Sequence, residues 1–491
     1  MTTYQDYKNH CSKIADIEYA LSVLNWDQEV FMPEKGAKHR AQQISTLAGI
    51  AHELSVDKAF GDLLEKLSNE NLSEIEKRNI EESLKNYKRA QKYTTAFVQE
   101  MSKTVSQSFI AWQEAKEKDD YSIFAPKLKE LVKLKREECE LLGYSDHPYN
   151  ALVDLYEPNA TVKDLDVLFN DVKKNLVPFV KEIASAKQNN DSLMYNFYDK
   201  NKQLAFTEEL LAQMGYDFNA GRQDISSHPS TTNFGPLDVR VTTRVNENNL
   251  NEILWSSIHE GGHALYEQGL KEENYGLPAG SYLSLGIHES QSRLWENNVG
   301  RSRVYWNYNF RRLQEVFQVN LGHFTTDDFY KAMNIVKPSL IRLTYHFHVL
   351  IRYEIEKELI AGSIEVEDLP TVWNKKYKEY LNIDVPSDSQ GVLQDIHWSH
   401  GSFGYFPTYS IGSFYAAQFY NQAKKEIDQL EYQIEIGNLK PLLDWLREKI
   451  HQHGRLFAAD ELCEKITGEK LNFKHFLNYA KKKYNKLYNL N

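Results

Sequence analysis

The sequence predicts a mainly α-helical fold with one small β-element, and three observations support this prediction. Apolar residues recur every three or four positions along most of the chain, which is the spacing of a buried stripe on an amphipathic helix. The breaks between these stretches are short, so we expect long helices joined by short turns. Alternation with a period of two, typical of a half-buried strand, is confined to one stretch near the middle of the chain.

Composition places the chain among ordinary globular proteins, with 491 residues of which 26% are charged and 41% hydrophobic. The length alone suggests about three domains, but no composition shift or repeat marks a boundary, so we expect one domain over residues 1–491. No apolar run approaches the roughly 18 residues of a membrane span, and the first residues lack the apolar core of a secretory signal. A net charge of −11 argues against nucleic acid as a partner. Three scattered cysteines, Cys11, Cys139 and Cys463, fit a reducing compartment and predict a cytoplasmic location.

Helical periodicity accounts for the first half of the chain. Two helices open it, with stripes at Ile14, Ile17, Leu21 and Leu24 and, beyond the Met32-Pro33 break, at Ile44, Leu47, Ala51 and Leu54. Residues 72–136 are charged and helix-forming, with an expected break at Ala125-Pro126. A further helix crosses Pro178, which should kink it. Residues 188–192 are interpreted as a polar loop and not as a domain linker, because helical periodicity resumes after them.

The period-two stretch begins at Asp238, where Asp238, Arg240 and Thr242 alternate with Val239, Val241 and Thr243. This pattern predicts a short half-buried strand. Two interpretations of it stay open. Its open edge could pair with an extended ligand, or it could be a structural hairpin that caps the helical core.

The next element is a predicted helix over residues 251–269, which contains the sequence His259-Glu260-Gly261-Gly262-His263. Residues four apart lie on one face of a helix, so both imidazoles can reach a single metal ion, while Glu260 is rotated towards a bound water. That is the H-E-x-x-H pattern of zinc peptidases. Each glycine costs a helix interior about 1 kcal/mol, which suggests a close approach of backbone or ligand. The alternative is an ordinary helix with two histidines.

A catalytic zinc ion usually takes three protein ligands, so one more residue is needed. Glu289, on the next predicted helix, is the leading candidate, although it could instead form a helix-face ion pair with Arg293. Glu267 competes with it but cannot easily bend back to the same ion. Two imidazoles and a carboxylate suit zinc and would also hold cobalt, manganese or iron. The expected chemistry is hydrolysis, with Glu260 accepting a proton from water and passing it to the leaving amine.

Residues 391–409 combine glycines, a proline and aromatic residues, which predicts an ordered loop. A tetrahedral intermediate needs hydrogen-bond donors aimed at its oxyanion, and the local candidates are His397, Tyr405 and Tyr409. The pairs His346/His348 and His451/His453 are two residues apart and therefore face different ways on a helix, so we interpret both pairs as structural.

Several motifs together resemble those of the Taq-type metallocarboxypeptidases. They are the H-E-G-G-H helix, His288-Glu289-Ser290-Gln291, Asp238-Val239-Arg240-Val241-Thr242, Gly391 with Gln394-Asp395 and His397-Trp398, Trp26-Asp27 with Met32-Pro33, and the segment 403–409. The resemblance covers nearly the whole chain. It implies a large helical peptidase fold with two helical halves flanking a deep central cleft, and a small β-element beside the metal site. It also implies one zinc or cobalt ion, removal of single C-terminal residues from peptides, and a homodimer.

Carried over residue by residue, the resemblance implies metal ligation by His259, His263 and Glu289, with Glu260 as the general base. It also implies substrate contacts from Asp238, Arg240, Arg342, Gln394 and Asp395, and supports His397 as a catalytic group. An exopeptidase needs a cation for the terminal carboxylate, and Arg240 and Arg342 are the candidates, with Arg352 behind them.

The sequence departs from the family pattern in two places. Ser230 stands where the family usually has an apolar residue, and about five residues with an acidic motif are absent after Arg342. Two alternatives therefore stay open beside a carboxypeptidase. One is an endo-acting oligopeptidase with the same metal chemistry, and the other is a helical binding protein whose catalysis is impaired.

Overall fold

The computed structural model describes residues 3–226, 228–336 and 343–490. The first helices are α1 (Thr3–Val30), α2 (Ala37–Ser55), α3 (Lys58–Leu67), α4 (Glu74–Ala90), α5 (Thr95–Lys118), α6 (Tyr121–Leu142), α7 (Tyr149–Val153), α8 (Val162–Ser185) and α9 (Lys200–Met214). Three strands follow, β1 (Gln223–Ile225), β2 (Ser230–Asn233) and β3 (Val239–Thr243).

The remaining α-helices of the described residues come after the strands in the chain. They are α10 (Leu250–Glu267), α11 (Leu285–Arg293), α12 (Arg303–Val316), α13 (Gln318–Leu321), α14 (Thr326–Met333), α15 (Tyr345–Ala361), α16 (Leu369–Leu381), α17 (Pro407–Glu426), α18 (Leu430–Glu435), α19 (Lys440–Lys449), α20 (Ala459–Thr467) and α21 (Lys474–Tyr488). The predicted mainly α-helical class is therefore confirmed. None of the helices in the described part of the chain has both the length and the apolar character that crossing a bilayer requires.

The predicted helix break at Ala125-Pro126 is wrong, because Pro126 lies inside α6. The chain breaks instead at Asp119, which adopts a left-handed conformation with φ 54° and ends α5. Asp120 then starts α6, since its side chain accepts a hydrogen bond from the Ser122 backbone N–H at 2.9 Å. The capping aspartate therefore sets the boundary, and the single hydrogen bond that proline removes does not end the helix.

The described chain forms two compact units, each built from separate stretches. The first unit comprises Met1–Ala90, Asn189–Ile335 and Gly412–Asn472, and the second comprises Gln91–Gln188, Val336–Ile411 and Phe473–Asn491. A hydrophobic cluster of the first unit includes Tyr7, Leu64, Ile80 and Leu277, which join α1, α3 and α4. In the second unit α15 packs against α6, α7, α8 and α16. The polar loop predicted at 188–192 is present, and the chain passes from the second unit to the first within it.

The strands form one sheet in the order β1-β3-β2, with β1 parallel and β2 antiparallel to β3. The predicted strand is β3, in which Val239 and Val241 are buried and Arg240 is only partly covered, as the alternation indicated. Thr242 departs from the alternation, because it is buried as well. The open edge expected for this strand is wrong, since β3 is the central strand and pairs with β1 and β2. Neither β1 nor β2 was predicted, because their short polar sequences carry no alternating apolar signal. The sheet packs against α10 through β2 and β3, which places it beside the H-E-x-x-H helix.

The paired glycines of α10 mark two close helix contacts. A Cβ atom on Gly261 would lie 2.4 Å from Leu211 Cδ2 of α9, and one on Gly262 would lie 2.6 Å from the Cα of Ser292 on α11. Real side chains do not come this close, and a backbone neighbour cannot rotate away. The predicted close approach is therefore confirmed, and Gly262 sets the separation of α10 and α11.

We expect Gly262→Ala to destabilise the first unit by about 1–3 kcal/mol, because the added methyl group must push α11 away from α10. The matched control is Gly49→Ala on α2, where an added Cβ would meet nothing within 4 Å. Alanine in such a helix interior is favoured by about 0.5–1 kcal/mol. Thermal unfolding of both variants checks this. A Gly262→Ala midpoint equal to that of Gly49→Ala would contradict the close contact.

Candidate functional site

His259 and His263 of α10 and Glu289 of α11 direct one ligand atom each to a common point. The Nε2 atoms of His259 and His263 lie 3.5 and 3.3 Å from Glu289 Oε2. All three candidate ligand atoms lie within 4.8 Å of one another. In a tetrahedral zinc site, with bonds of about 2.0–2.2 Å, neighbouring ligand atoms are about 3.3–3.5 Å apart. The donor atoms and their spacing therefore fit a divalent metal ion.

Local sequence explains how Glu289 reaches the two imidazoles. Ser284 caps α11 by accepting a hydrogen bond from the Ile287 backbone N–H at 3.1 Å, which fixes where the helix begins. Gly262 allows α11 to lie against α10. Gly412 opens space on the other side, because a Cβ there would lie 2.6 Å from Glu289 Cβ. Glycines therefore allow close packing against α11 at two places, beside Ser292 and beside Glu289.

A π-helical segment, Leu294–Gly300, follows α11 directly and carries Glu296. Glu296 Oε2 lies 3.0 Å from His259 Nδ1, the ring nitrogen on the side away from Glu289. Arg301 binds the other carboxylate oxygen of Glu296 at 2.9 Å. Such widened turns are rare and are often found at functional sites. Here the segment brings a buried carboxylate behind one candidate metal ligand.

Arg293 joins the two carboxylates of this site. Its Nε donates to Glu289 Oε1 at 2.6 Å, and its Nη1 donates to Glu296 Oε2 at 3.2 Å. The helix-face pair between Glu289 and Arg293 is therefore present, but it uses only one carboxylate oxygen. Oε2 of Glu289 is left facing the imidazoles, so the ion pair and the ligand position coexist.

The protonation states of His263 and Glu289 favour a cation at this point. Burial lowers the pKa of His263 to about 3. Burial would raise the pKa of Glu289, but Arg293 and the two imidazoles hold it well below its ordinary value. For His259, burial lowers the pKa, yet the carboxylates of Glu289 and Glu296 outweigh this and raise it. An incoming cation would displace that proton, since metal binding and protonation compete for Nε2.

Glu260 is 7% exposed and is held by the sheet. The Thr231 hydroxyl of β2 donates to Glu260 Oε2 at 2.8 Å, so an edge strand orients this carboxylate. Burial raises the pKa of Glu260 above its ordinary value. A buried carboxylate next to the candidate ligands, with one oxygen occupied, can exchange a proton through the other oxygen.

Asp238 and Arg240 bind each other. Arg240 donates from Nε and Nη2 to the two carboxylate oxygens of Asp238 at 2.8 and 2.7 Å. Its guanidinium also lies over the rings of Trp26 and Phe234, at 4.4 and 4.8 Å from their centroids. Arg240 therefore links β3 to the end of α1. Asp27, the residue after Trp26, binds Arg40 of α2 at 2.6 Å, so the Trp-Asp pair connects α1 with both the sheet and α2.

His397, Tyr405 and Tyr409 lie together in the second unit. His397 Nε2 is 3.4 Å from the Tyr409 hydroxyl oxygen, and its ring stacks on that of Tyr405 with centroids 5.7 Å apart. Burial lowers the pKa of His397 to about 4, against the opposing effect of Asp395. The imidazole is therefore neutral at neutral pH and can donate one hydrogen bond.

Asp395 is the centre of a second charged cluster in this unit. Its Oδ2 lies 2.6 Å from His348 Nε2 and 2.9 Å from Arg352 Nη2. Arg352 is fully buried, with its guanidinium over the rings of Trp373, Trp398 and Phe406. Gln394 donates to the Tyr377 hydroxyl at 3.1 Å. Arg352 is thus enclosed in protein. Arg342, another candidate cation for the terminal carboxylate of a substrate, lies outside the described residues.

Sequence reasoning missed four residues that shape these clusters, namely Thr231, Glu296, His288 and His348. His348 was interpreted as structural, and the structure places it against Asp395, 47 positions away in the chain. The spacing of Glu296 three residues after Arg293 was a usable signal, but the π-helical turn that aims it at His259 was not visible in the periodicity. Glu267, the rejected competitor for the metal, pairs with His288 at 2.9 Å.

Two imidazoles and a carboxylate around one point, with a second carboxylate beside them, form the arrangement expected of a metal-dependent hydrolase. Comparison with known proteins agrees. A family model described as carboxypeptidase Taq (M32) metallopeptidase matches residues 6–484. The chain belongs to this family. It is a metal-dependent carboxypeptidase that acts on peptides and requires a divalent metal ion.

The similar proteins share both sequence and fold along their whole length. Thermostable carboxypeptidase 1 of Thermus thermophilus is 40% identical over 94% of each chain, and carboxypeptidase 1 of Bacillus subtilis is 37% identical over 99% of each. The structure of an M32 carboxypeptidase from Deinococcus radiodurans superposes with a TM-score of 0.97 at 36% identity and covers 100% of both chains. The predicted family, fold class and enzyme class are confirmed.

We expect Asp395→Asn to destabilise the protein by about 2–4 kcal/mol, because it leaves the buried Arg352 cation without its counter-charge. The control is Asp384→Asn, which removes an exposed partner of Lys378 and should cost about 0.5 kcal/mol or less. Unfolding by urea, compared at neutral and acid pH, measures both.

Burial opposes ionisation of Asp395, but His348 and Arg352 hold the pKa of this carboxyl well below its ordinary value. A depressed pKa in the folded state stabilises the protein above the unfolded pKa, and the stabilisation is lost as the pH falls towards the folded pKa. The difference between the parent and Asp395→Asn should therefore be largest at neutral pH and shrink in acid. A difference that grows in acid would contradict this assignment.

Proposed function

We propose that His259, His263 and Glu289 bind one zinc ion, and that Glu260 is the general base in the release of single C-terminal residues from peptides. The observation that carries this proposal is the convergence of the three ligand atoms within 4.8 Å of one another. We propose zinc because its catalytic sites typically use imidazole and carboxylate ligands, and the same donors would also accept cobalt.

A bound zinc ion would polarise the scissile carbonyl and lower the pKa of a coordinated water. Glu260 would take the proton of that water on Oε1, since Thr231 occupies Oε2. It would then deliver the proton to the leaving amine nitrogen, which completes hydrolysis with no net change in the protein. Thr231 would keep the carboxylate in one orientation through both transfers.

Glu296 and Arg293 would prepare two of the three ligands before the ion binds. In the neutral ring, the hydrogen bond that His259 Nδ1 donates to Glu296 leaves Nε2 free for the ion and fixes the ring. The contact between Arg293 and Glu289 Oε1 keeps Oε2 turned to the imidazoles. Ligands that are already oriented lose less conformational freedom when the ion arrives.

The edge strand β2 would bind the peptide backbone. β2 carries Thr231 and is an outer strand of the sheet. An extended peptide can pair with such an edge.

We further propose substrate contacts from Asp238, Arg240, Arg342, Gln394 and Asp395, and hydrogen bonds to the developing oxyanion from His397, Tyr405 and Tyr409. The family motifs support these roles, and for His397 its neutral imidazole supports it as well.

Three further features are part of this proposal. Residues 1–491 would form one functional domain, which is supported by the repeated passage of the chain between the two units. The protein would be cytoplasmic, as its three free and buried cysteines suggest. It would act as a homodimer, for which the family resemblance is the support, and sedimentation velocity would measure this directly.

We expect Glu260→Gln to lower kcat/KM by at least about 10²-fold, because an amide cannot accept the proton. Zinc content should stay at one ion per chain, since Glu260 is not a ligand in this scheme. The matched control is Glu252→Gln, on the first turn of the same helix, which should retain full activity. Steady-state kinetics with a blocked peptide test both variants. A Glu260→Gln enzyme within tenfold of the parent would overturn the assignment of the base.

A blocked peptide with a free C-terminus should be cleaved at least about 10²-fold faster than its C-terminal amide. The difference reflects a charge-assisted hydrogen bond to the terminal carboxylate, which contributes about 1.5–3 kcal/mol. Mass spectrometry of the products also reports whether single residues are released. Equal rates for the acid and the amide would favour the endo-acting alternative.

A further inference from the structure

The two imidazoles of the metal site are held in different ways. His259 donates through Nδ1 to Glu296, the usual arrangement by which a metal-binding histidine is oriented. The Nδ1 atom of His263 is buried and has no hydrogen-bond partner among the described residues. Something other than a hydrogen bond at Nδ1 must therefore hold the plane of the His263 ring.

His288 lies flat against His263. The two ring centroids are 4.3 Å apart and the ring planes differ by 16°. His288 is itself fixed, because its Nε2 is 2.9 Å from Glu267 Oε1 and the second oxygen of Glu267 accepts a hydrogen bond from Asn233 on β2. Tyr282 contacts the His288 ring as well, with centroids 4.7 Å apart. A rigid flat surface thus stands beside the His263 imidazole.

We propose that His288 is the positioning residue for His263, and that it acts by holding the plane of the His263 ring through stacking. Glu267 and Asn233 serve this role by fixing His288. This inference rests on the proposed metal site at His259, His263 and Glu289. It also gives Glu267 a function in the site, although Glu267 does not reach the ion position.

Stacking and hydrogen bonding constrain an imidazole differently. A hydrogen bond to Nδ1 fixes both the plane of the ring and which edge faces the ion, and His259 has both constraints. Stacking fixes the plane only, because a half-turn of the ring leaves the flat contact unchanged. Glu289, whose Oε2 lies 3.3 Å from His263 Nε2, and the ion would together keep the Nε2 edge of the ring turned towards the metal position. Without the flat neighbour, His263 would lose its plane and the site would bind metal more weakly.

Two substitutions separate stacking from the hydrogen bond to Glu267. His288→Phe and His288→Leu both lose that hydrogen bond, but only the phenylalanine keeps a flat ring against His263. We expect His288→Leu to raise the Kd for zinc about 10–100-fold, the usual effect of removing a group that orients a ligand. His288→Phe should raise the Kd clearly less, because its ring still stacks on His263 although Glu267 no longer fixes it. Competition with a chelating dye measures the Kd, and the visible spectrum of the cobalt-loaded protein should change more in the leucine variant than in the phenylalanine variant.

His10→Leu is the matched control, because His10 also stacks on a ring, that of Phe60, at 4.1 Å and 12°. It should leave the Kd for zinc unchanged, and thermal unfolding without metal confirms that each variant is folded. A His288→Leu Kd within threefold of the parent, or equal losses in the leucine and phenylalanine variants, would overturn the stacking role. His263→Ala tests the site itself. If it binds zinc like the parent, the proposed metal site fails whatever the His288 variants do.

Discussion

The close packing of α10 on α11 at Gly262 is the constraint on which the candidate metal site depends. A side chain at this position would meet the backbone of Ser292, so only glycine allows the two helices to lie this near. At this separation Glu289 Oε2 comes within 3.5 Å of both imidazoles. Two glycines cost a helix interior about 2 kcal/mol in total, and the geometry of the site explains why the sequence keeps them. The H-E-x-x-H pattern therefore supplies only two of the three candidate metal ligands. The packing at Gly262 places the third, Glu289, at the right distance.

Charge compensation makes this packing possible. The site buries three carboxylates, those of Glu260, Glu289 and Glu296, and an unpaired buried charge is costly. Arg293 and Arg301 neutralise two of them, and Thr231 binds the third. Because Arg293 contacts both Glu289 and Glu296, the candidate ligand and the residue behind His259 are fixed by one side chain. Buried charges are paired in the second unit as well, where Asp395 contacts both His348 and the enclosed Arg352.

Different kinds of contact hold the three candidate metal ligands. A carboxylate orients His259, an arginine orients Glu289, and a stacked ring lies against His263. Glu267 contacts that stacked ring, which belongs to His288. Its position four residues after His263 had made it a competing candidate for the metal ligand. The sheet contributes through its edge strand, since β2 supplies Thr231 to Glu260 and Asn233 to Glu267. A strand too short to be predicted thus supports two residues of the site.

The sequence by itself determined the features that depend on local periodicity. It predicted the helical class, the strand at Val239–Thr243, the common face of His259 and His263, and the close approach at the paired glycines. With the family motifs it also predicted Glu289 as a metal ligand and identified the enzyme class. Local signals failed at Pro126, where the Asp120 cap decided the helix boundary, and they could not show the π-helical turn that brings Glu296 to His259. Only the tertiary structure placed His288 on His263 and His348 on Asp395. The physical reason is that periodicity fixes which face a residue occupies, whereas contacts between distant segments are decided by how whole elements pack.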